Sequence, residues 1–399
     1  MDKAFKIKSF REFKETAFQQ RRFSYETFVA VMDRHVRTGV FKEQRVGHSY
    51  EGRPIRVLSA GHGPTKVLAW SQMHGNEPSS TLALLDVINY LESDDQQANE
   101  ILSAITITVI PLLNPDGFLR YDRRNAQGID INRDARRLVS PEARLLMSEW
   151  ERLRPDFALN LHDQETRYYS LNPARHTPLA MLAPECSEDG RITPAREKAM
   201  KVIASVVSLS GNTPIAKYDD TYTPTAFGDT FMGLGTASIL IETGTIADIE
   251  RNIPRSLVTL AIIKSLWSIA TGEYLNHDIE EYNRMPLNQD FDGYFLIIKN
   301  ITIHDTIGSY IADIAIDRVK TTCNPEDFAD DFDDFRVANI GDLDGMRAIR
   351  TYDFKDWSLH LPHGEMRIGR NTDFDITYED GSTTFNVSKI IDTIKNKML

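Results

Sequence analysis

Along the first 270 residues the pattern of apolar and polar positions keeps switching between two periods. Short, nearly continuous apolar runs alternate with longer stretches whose apolar residues recur every third or fourth position. KVLAWSQ (66–72), ITITVIPLLN (105–114), FALNLH (157–162) and ASILIET (237–243) read as buried strands. Helical spacing predicts helices from Pro78 to about Leu91, from Ser140-Pro141 to Arg152, from Thr193-Pro194 to about Leu209 and from Pro254 to about Ala270. Pro78 suits a first helical turn, where its missing N–H is not needed. Residues 10–37 carry helical spacing as well, and VGHSYEGRPIRVLSAG (46–61) alternates around Gly-Arg-Pro like a hairpin. Asn114-Pro115-Asp116-Gly117 predicts a turn and a loop onward to residue 139. Strands interleaved with helices predict an α/β fold, with a mixed, mainly parallel sheet covered by helices on both faces.

After about residue 285 the helical spacing disappears. GYFLIIKNITIH (293–304), RAIRTYDF (347–354), MRIGR (366–370), FDITYE (374–379) and TTFNV (383–387) predict short strands, followed by a helix from Ser388 to Met398. The expected division is an α/β domain over 1–284, with a helical lead-in over 1–45, and a smaller β-rich accessory domain over 285–399. The acidic run EDFADDFDDF (326–335) reads as a solvated loop, because it lacks the glycine and terminal glutamate of a calcium loop.

Composition narrows the function classes. A net charge of −12 provides no basic footprint for nucleic acid. No window approaches eighteen uninterrupted apolar residues, so no membrane span is expected. The opening MDKAFKIKSFREFKETAFQQRR is charged throughout and unlike a signal peptide, which predicts a cytoplasmic protein. Two cysteines, Cys186 and Cys323, fit a reducing compartment and lie outside any metal-ligand spacing.

In a parallel sheet, functional groups gather beyond the carboxyl ends of the strands. His74 and Glu77 follow the first strand, the 114–134 loop follows the second, His162 ends the third and Glu242 lies near the end of the fourth. Two histidines and a glutamate are the ligand set of an open catalytic zinc site, which leaves the fourth position to water. No His-Glu-x-x-His sequence occurs, so the pattern is not that of the helical zinc proteases. His360 and His363, in HLPHG, read as surface histidines.

His74-x-x-Glu77, NPDG (114–117), RRNAQGIDINRD (123–134), LNLH (159–162) and ILIETG (239–244), in this order across residues 46–270, resemble the zinc metallocarboxypeptidase family of carboxypeptidase A-like peptidases. The chain looks like a bacterial-type member with an extra C-terminal domain, which the resemblance does not cover. The resemblance implies one Zn2+ per chain held by His74, Glu77 and His162, with Glu242 as general base. It implies Arg123, favoured over the adjacent Arg124 by its spacing to Asn132-Arg133, as the group that stabilises the oxyanion. Asn132 and Arg133 resemble the pair that grips a substrate's terminal carboxylate, and Tyr222 stands near the place of a substrate-capping tyrosine. Two departures are visible. Tyr222 has an insecure spacing to Glu242, and Asp163-Gln164 replaces the usual continuation after the second histidine, so Asp163 is expected to shape a different pocket.

The implied activity is hydrolysis of the C-terminal amide bond of a peptide. An amidase or deacylase of N-acyl amino acids or cell-wall γ-glutamyl peptides would use the same metal, and a non-catalytic binding module on a peptidase-like fold is the reading from another class. The expected partner is a peptide or acyl-amino-acid substrate with a free carboxylate, without nucleic acid or membrane. A homo-oligomer would form through the open sheet edges of the C-terminal domain.

Overall fold

The structure is a computed structural model that describes residues 5–7, 9–18, 22–164, 168–170, 177–218, 221–244, 252–290, 293–320 and 333–398. One compact unit ends at Gln289 and a second begins at Asp290. Among the described residues no helix is long and apolar enough to cross a membrane.

The first unit begins with α1 (Tyr25–Thr38), β1 (Lys42–His48), β2 (Pro54–Gly61), β3 (Thr65–Ser71), α2 (Ser79–Leu91), α3 (Gln96–Ala104) and β4 (Ile105–Ile110). It continues with α4 (Pro115–Arg120), α5 (Pro141–Leu153), β5 (Phe157–Asp163), β6 (Tyr168–Ser170), β7 (Leu179–Leu182), α6 (Pro194–Leu209) and β8 (Ile215–Lys217). α7 (Phe227–Gly233), β9 (Ala237–Thr243), α8 (Asn252–Thr271), α9 (Ile279–Asn283) and β10 (Asn288–Asp290) complete it. Eight strands form one sheet in the order β1-β2-β4-β3-β5-β9-β7-β8, while β6 and β10 pair separately. The central strands β4, β3, β5 and β9 run parallel, and β1, β2 and β7 introduce the antiparallel pairs.

Alternation along the central strands feeds two cores. Val67, Ala69, Leu159, Leu161, Ile239 and Ile241 face a core that includes α2, α6 and α8, whereas Leu68, Trp70 and Ala158 face α5 and α7. The helix starts follow their caps. Ser140 accepts from Ala143 N and Thr193 from Arg196 N, each with a proline in the first turn.

Three local expectations are corrected. The helix expected over 10–37 begins only at Tyr25, after the Ser24 cap. Upstream, Arg255 donates to the backbone carbonyls of Glu15 (3.0 Å) and Phe18 (3.3 Å), and Asp86 accepts from Glu15 N (2.6 Å). The backbone groups a helix would use are therefore held by a buried ion pair. Asn114-Pro115-Asp116-Gly117 is not a simple turn but the start of α4, capped by the Asn114 side chain on Gly117 N. Finally, MRIGR is a turn rather than a strand.

The second unit contains β11 (Tyr294–His304), β12 (Ser309–Lys320), β13 (Asp333–Gly341), β14 (Ala348–Asp353), β15 (Trp357–His360), β16 (Asp375–Tyr378), β17 (Thr384–Asn386) and α10 (Val387–Met398). Its sheet runs β13-β12-β11-β15-β16-β17, with β14 also paired to β11. Most of the acidic run 326–335 lies outside the described residues; Asp333 opens β13.

Candidate functional site

The first two candidate ligands sit on the tight passage from β3 to α2. Gln72, at φ 51°, reverses the chain, and its amide donates to Gly75 O (3.0 Å) while its carbonyl accepts from the Thr81 hydroxyl (2.8 Å). A Cβ on Gly75 would fall 2.0 Å from the Gly117 carbonyl carbon, so only glycine fits there. Asn114 Nδ2 donates to Met73 O (3.1 Å). The NPDG segment thus buttresses the loop that carries His74 and Glu77.

His162 arrives from the end of β5. The next residue, Asp163, does not shape a pocket. Its carboxylate caps α2 by accepting from Ser79 N (2.9 Å) and Ser80 N (3.0 Å), and its own N–H donates to Glu77 Oε2 (3.2 Å). This staple brings the strand end carrying His162 against the helix start beside Glu77.

The three side chains converge, all buried, with one donor atom from each lying within 4.8 Å of the others. His74 Nδ1 is 2.8 Å from Glu77 Oε1, His162 Nδ1 is 2.8 Å from Glu77 Oε2, and the two Nδ1 atoms are 3.2 Å apart. Ligand atoms about 2.0–2.1 Å from a tetrahedral zinc ion would stand about 3.3 Å from one another. Two imidazole nitrogens turned toward each other gain at most one hydrogen bond, whereas a cation would use both lone pairs. The donor set therefore fits zinc. Among the described residues it is the one cluster of at least three such side chains. His360 and His363 belong to none.

Sequence reasoning missed Asp130. Its Oδ1 accepts from His74 Nε2 (3.0 Å) and its Oδ2 from Arg123 Nε (3.0 Å). A proton kept on Nε2 leaves the Nδ1 lone pair free for a metal. Asp130 stands two residues before Asn132 in the very motif that drew attention, but its carboxylate contact with His74 is not visible in spacing alone. The loop is held from behind by buried Asn125, which accepts from Gln127 N and Ile129 N (both 3.0 Å) and donates to buried Glu142 (3.0 Å).

Charge at the cluster is strongly coupled. Burial pushes the Glu77 carboxyl up, but the adjacent His74 and His162 outweigh it and hold it well below the usual range. Burial opposes His74 protonation, yet Glu77 and Asp130 raise its pKa overall. For His162 burial wins and the pKa falls. Asp130 is held low by His74 and Arg123 against its own burial.

Glu242 pairs in register with His162 across parallel β5 and β9. Its Oε2 is buried with no hydrogen-bond partner among the described residues. Burial, then the negative charges of Glu77 and Asp163, raise its pKa well above the ordinary carboxylate value. Arg123 reaches the cluster, donating to Glu77 Oε1 (3.2 Å) as well as to Asp130. Arg124 instead turns to its own loop and donates to Gly128 O (3.0 Å). Asn132 accepts from Phe227 N (3.0 Å), tying its turn to the start of α7, while Arg133 lies exposed and donates to Asn132 O (2.8 Å). Tyr222 is partly buried in the loop before α7, and no hydrogen bond joins it to the cluster among the described residues.

Residues 34–170 match the family model described as zinc carboxypeptidase. A probable carboxypeptidase 2 of Trichophyton verrucosum is 31% identical over 125 residues, which make up 29% of this chain and 24% of that protein. Carboxypeptidase E of Caenorhabditis elegans is 33% identical over 112 residues, covering 22% of this chain and 24% of that one. The chain thus spans about a quarter of the length of these curated relatives. A metallo-carboxypeptidase from Burkholderia cenocepacia has a TM-score of 0.53 at 17% identity, over 63% of this chain and 70% of that one. At that identity the likeness speaks for the fold alone.

Proposed function

We propose, from the match of residues 34–170 to the zinc carboxypeptidase family model, that this protein is a zinc-dependent carboxypeptidase that releases the C-terminal residue of a peptide. The observation that carries the proposal is the convergence of His74, Glu77 and His162 with Glu242 beside them in register.

His74, Glu77 and His162 would hold the ion, with Asp130 fixing the His74 ring. When bound, zinc supplies Lewis acidity to the reacting carbonyl and to water. Glu242, whose pKa is raised by burial well above the ordinary carboxylate value, takes a proton from the attacking water at its carboxylate and gives it to the departing amine nitrogen. Arg123 sets a fixed positive charge beside the developing oxyanion. Asn132 and Arg133 grip the terminal carboxylate, the guanidinium through a two-pronged contact.

The test is a Glu242→Gln variant. It should still bind one zinc per chain by elemental analysis, yet release no C-terminal amino acid. Undiminished release would overturn the assignment. Peptides, N-acyl amino acids and γ-glutamyl muropeptides assayed side by side separate this activity from an amidase built on the same donors.

A further inference from the structure

A separate recess lies at the other end of the sheet from the metal cluster. Ile55 and Val57 of β2 share a core with Leu145, Leu146 and Leu153 of α5. The helix stops at Leu153. Beyond it the same sheet face borders a half-open cavity of about 490 Å³, whose lining includes Lys42, Ser59, His62, Thr106, Thr108 and Arg152. Ser59 stands two residues past Val57 and so shares its face. Lys42 pairs with Ser59, and Ser59 with Thr108, which sets the three in one row across β1, β2 and β4. Thr106 pairs with Lys66 at the start of β3, whereas the loop that carries His74 begins only beyond Ser71. At roughly 3.3 Å per residue, about 16 Å of strand separates the two places. The recess is therefore no part of the proposed catalytic cleft.

Its charge runs against that of the whole chain. The net charge is −12, yet no carboxylate lines the cavity. Lys42 has no ion-pair partner among the described residues. Arg152 is held in place, because its Nε (3.0 Å) and Nη2 (2.6 Å) both donate to Oε2 of fully buried Glu149, which leaves Nη1 uncommitted. Arg45 Nη1 reaches the same carboxylate (3.4 Å), so two cations offset its one charge. The rim thus offers positive charge, part of it already fixed in position, and fixing it costs little when an anion arrives.

The floor has the complementary character. Thr108 Oγ1 donates to Ser59 Oγ (3.3 Å), Ser59 Oγ donates to Ile107 O (2.9 Å) and Thr106 Oγ1 donates to Gly63 O (2.7 Å). Each hydroxyl proton is committed, so these oxygens face a ligand as acceptors. A cationic rim above an acceptor floor matches a molecule with an anionic group and hydroxyl donors. The volume falls among the roughly 300–1,000 Å³ of small-molecule sites, which leaves room for an organic part beside the anionic group.

We propose that this recess binds a small hydroxyl-bearing organic anion, a sugar phosphate or a sugar acid, at a site independent of the metal cluster.

Calorimetric titration of the full chain tests this with glucose 6-phosphate and gluconate as probes. Glucose and inorganic phosphate serve as partial mimics, each with half of the required chemistry. At least one probe is expected to bind at least about ten-fold more tightly than either mimic, and the tighter of the two identifies the anionic group. Lys42→Glu, at an exposed strand position, should weaken that binding at least about ten-fold. Thr108→Val, which removes one floor hydroxyl, should weaken it by less. Arg133→Ala, in the proposed catalytic cleft, should leave it unchanged. Binding of neither probe, equally tight binding of glucose or inorganic phosphate, or an affinity that Lys42→Glu leaves intact overturns the proposal. So does an affinity lost in Arg133→Ala, which would place the anion in the catalytic cleft. None of these readings depends on turnover, so they stand apart from the test of the carboxypeptidase activity.

Discussion

His162 and Glu242 are register partners on adjacent parallel strands. A proposed metal ligand and the proposed base are therefore spaced by sheet geometry rather than by a loop. Shortening the base should expose that dependence. Glu242→Asp withdraws the carboxylate by about one bond length, and a displacement near 1 Å can cost about 100-fold in rate. Steady-state kinetics should show the loss in kcat, with KM and zinc content little changed.

Asp130 joins His74 to Arg123. Asp130→Asn keeps the shape but weakens acceptance from His74 Nε2. Zinc affinity is expected to fall about 10–100-fold, as measured by competition with a chromogenic chelator. Unchanged circular dichroism would separate this effect from misfolding.

Asp163 caps α2 through two backbone N–H groups. Asp163→Ala strands both donors at a buried helix start. A loss of about 2 kcal/mol in chemical denaturation is expected, with Asp163→Asn, which retains one acceptor, losing less.

Asp229, on α7, accepts from Thr223 N (2.8 Å), and burial raises its pKa from 3.8 to about 6. The native state then holds a proton that the unfolded chain has released between about pH 4 and pH 6. Stability contributed by this group falls as pH rises through that window, by up to about 3 kcal/mol before solvent screening. Asp229→Asn keeps the acceptor and removes the charge. Its melting temperature should vary less with pH across the window and exceed that of the wild type at pH 7.

The sequence exposes the elements whose cause is local. The apolar runs of β3, β5 and β9 match the strands seen, and the Ser140 and Thr193 caps mark their helices within a residue. The ligand trio was legible because each member follows or ends such a strand. What stayed hidden depends on distant partners. Asp163 looked like a pocket residue because Ser79 and Ser80 are remote in sequence. The stretch before Tyr25 mimicked a helix because Arg255, far downstream, holds its carbonyls. β12 went unread with a charged residue at its centre. There Asp313 is buried and accepts from Asn300 N (2.9 Å) and Leu343 N (3.0 Å), which reconciles its charge with the interior.

The contact between Gly75 and Gly117 restricts how this protein can change. Gly75 fits against the Gly117 main chain only while it lacks a side chain, and Gly117 is itself closed in by Asn114 and the Arg124 carbonyl, so neither can be exchanged piecemeal. A graft that swaps one segment into a related scaffold without its counterpart would jam the two main chains together and spoil ion capture before any reacting group had been altered.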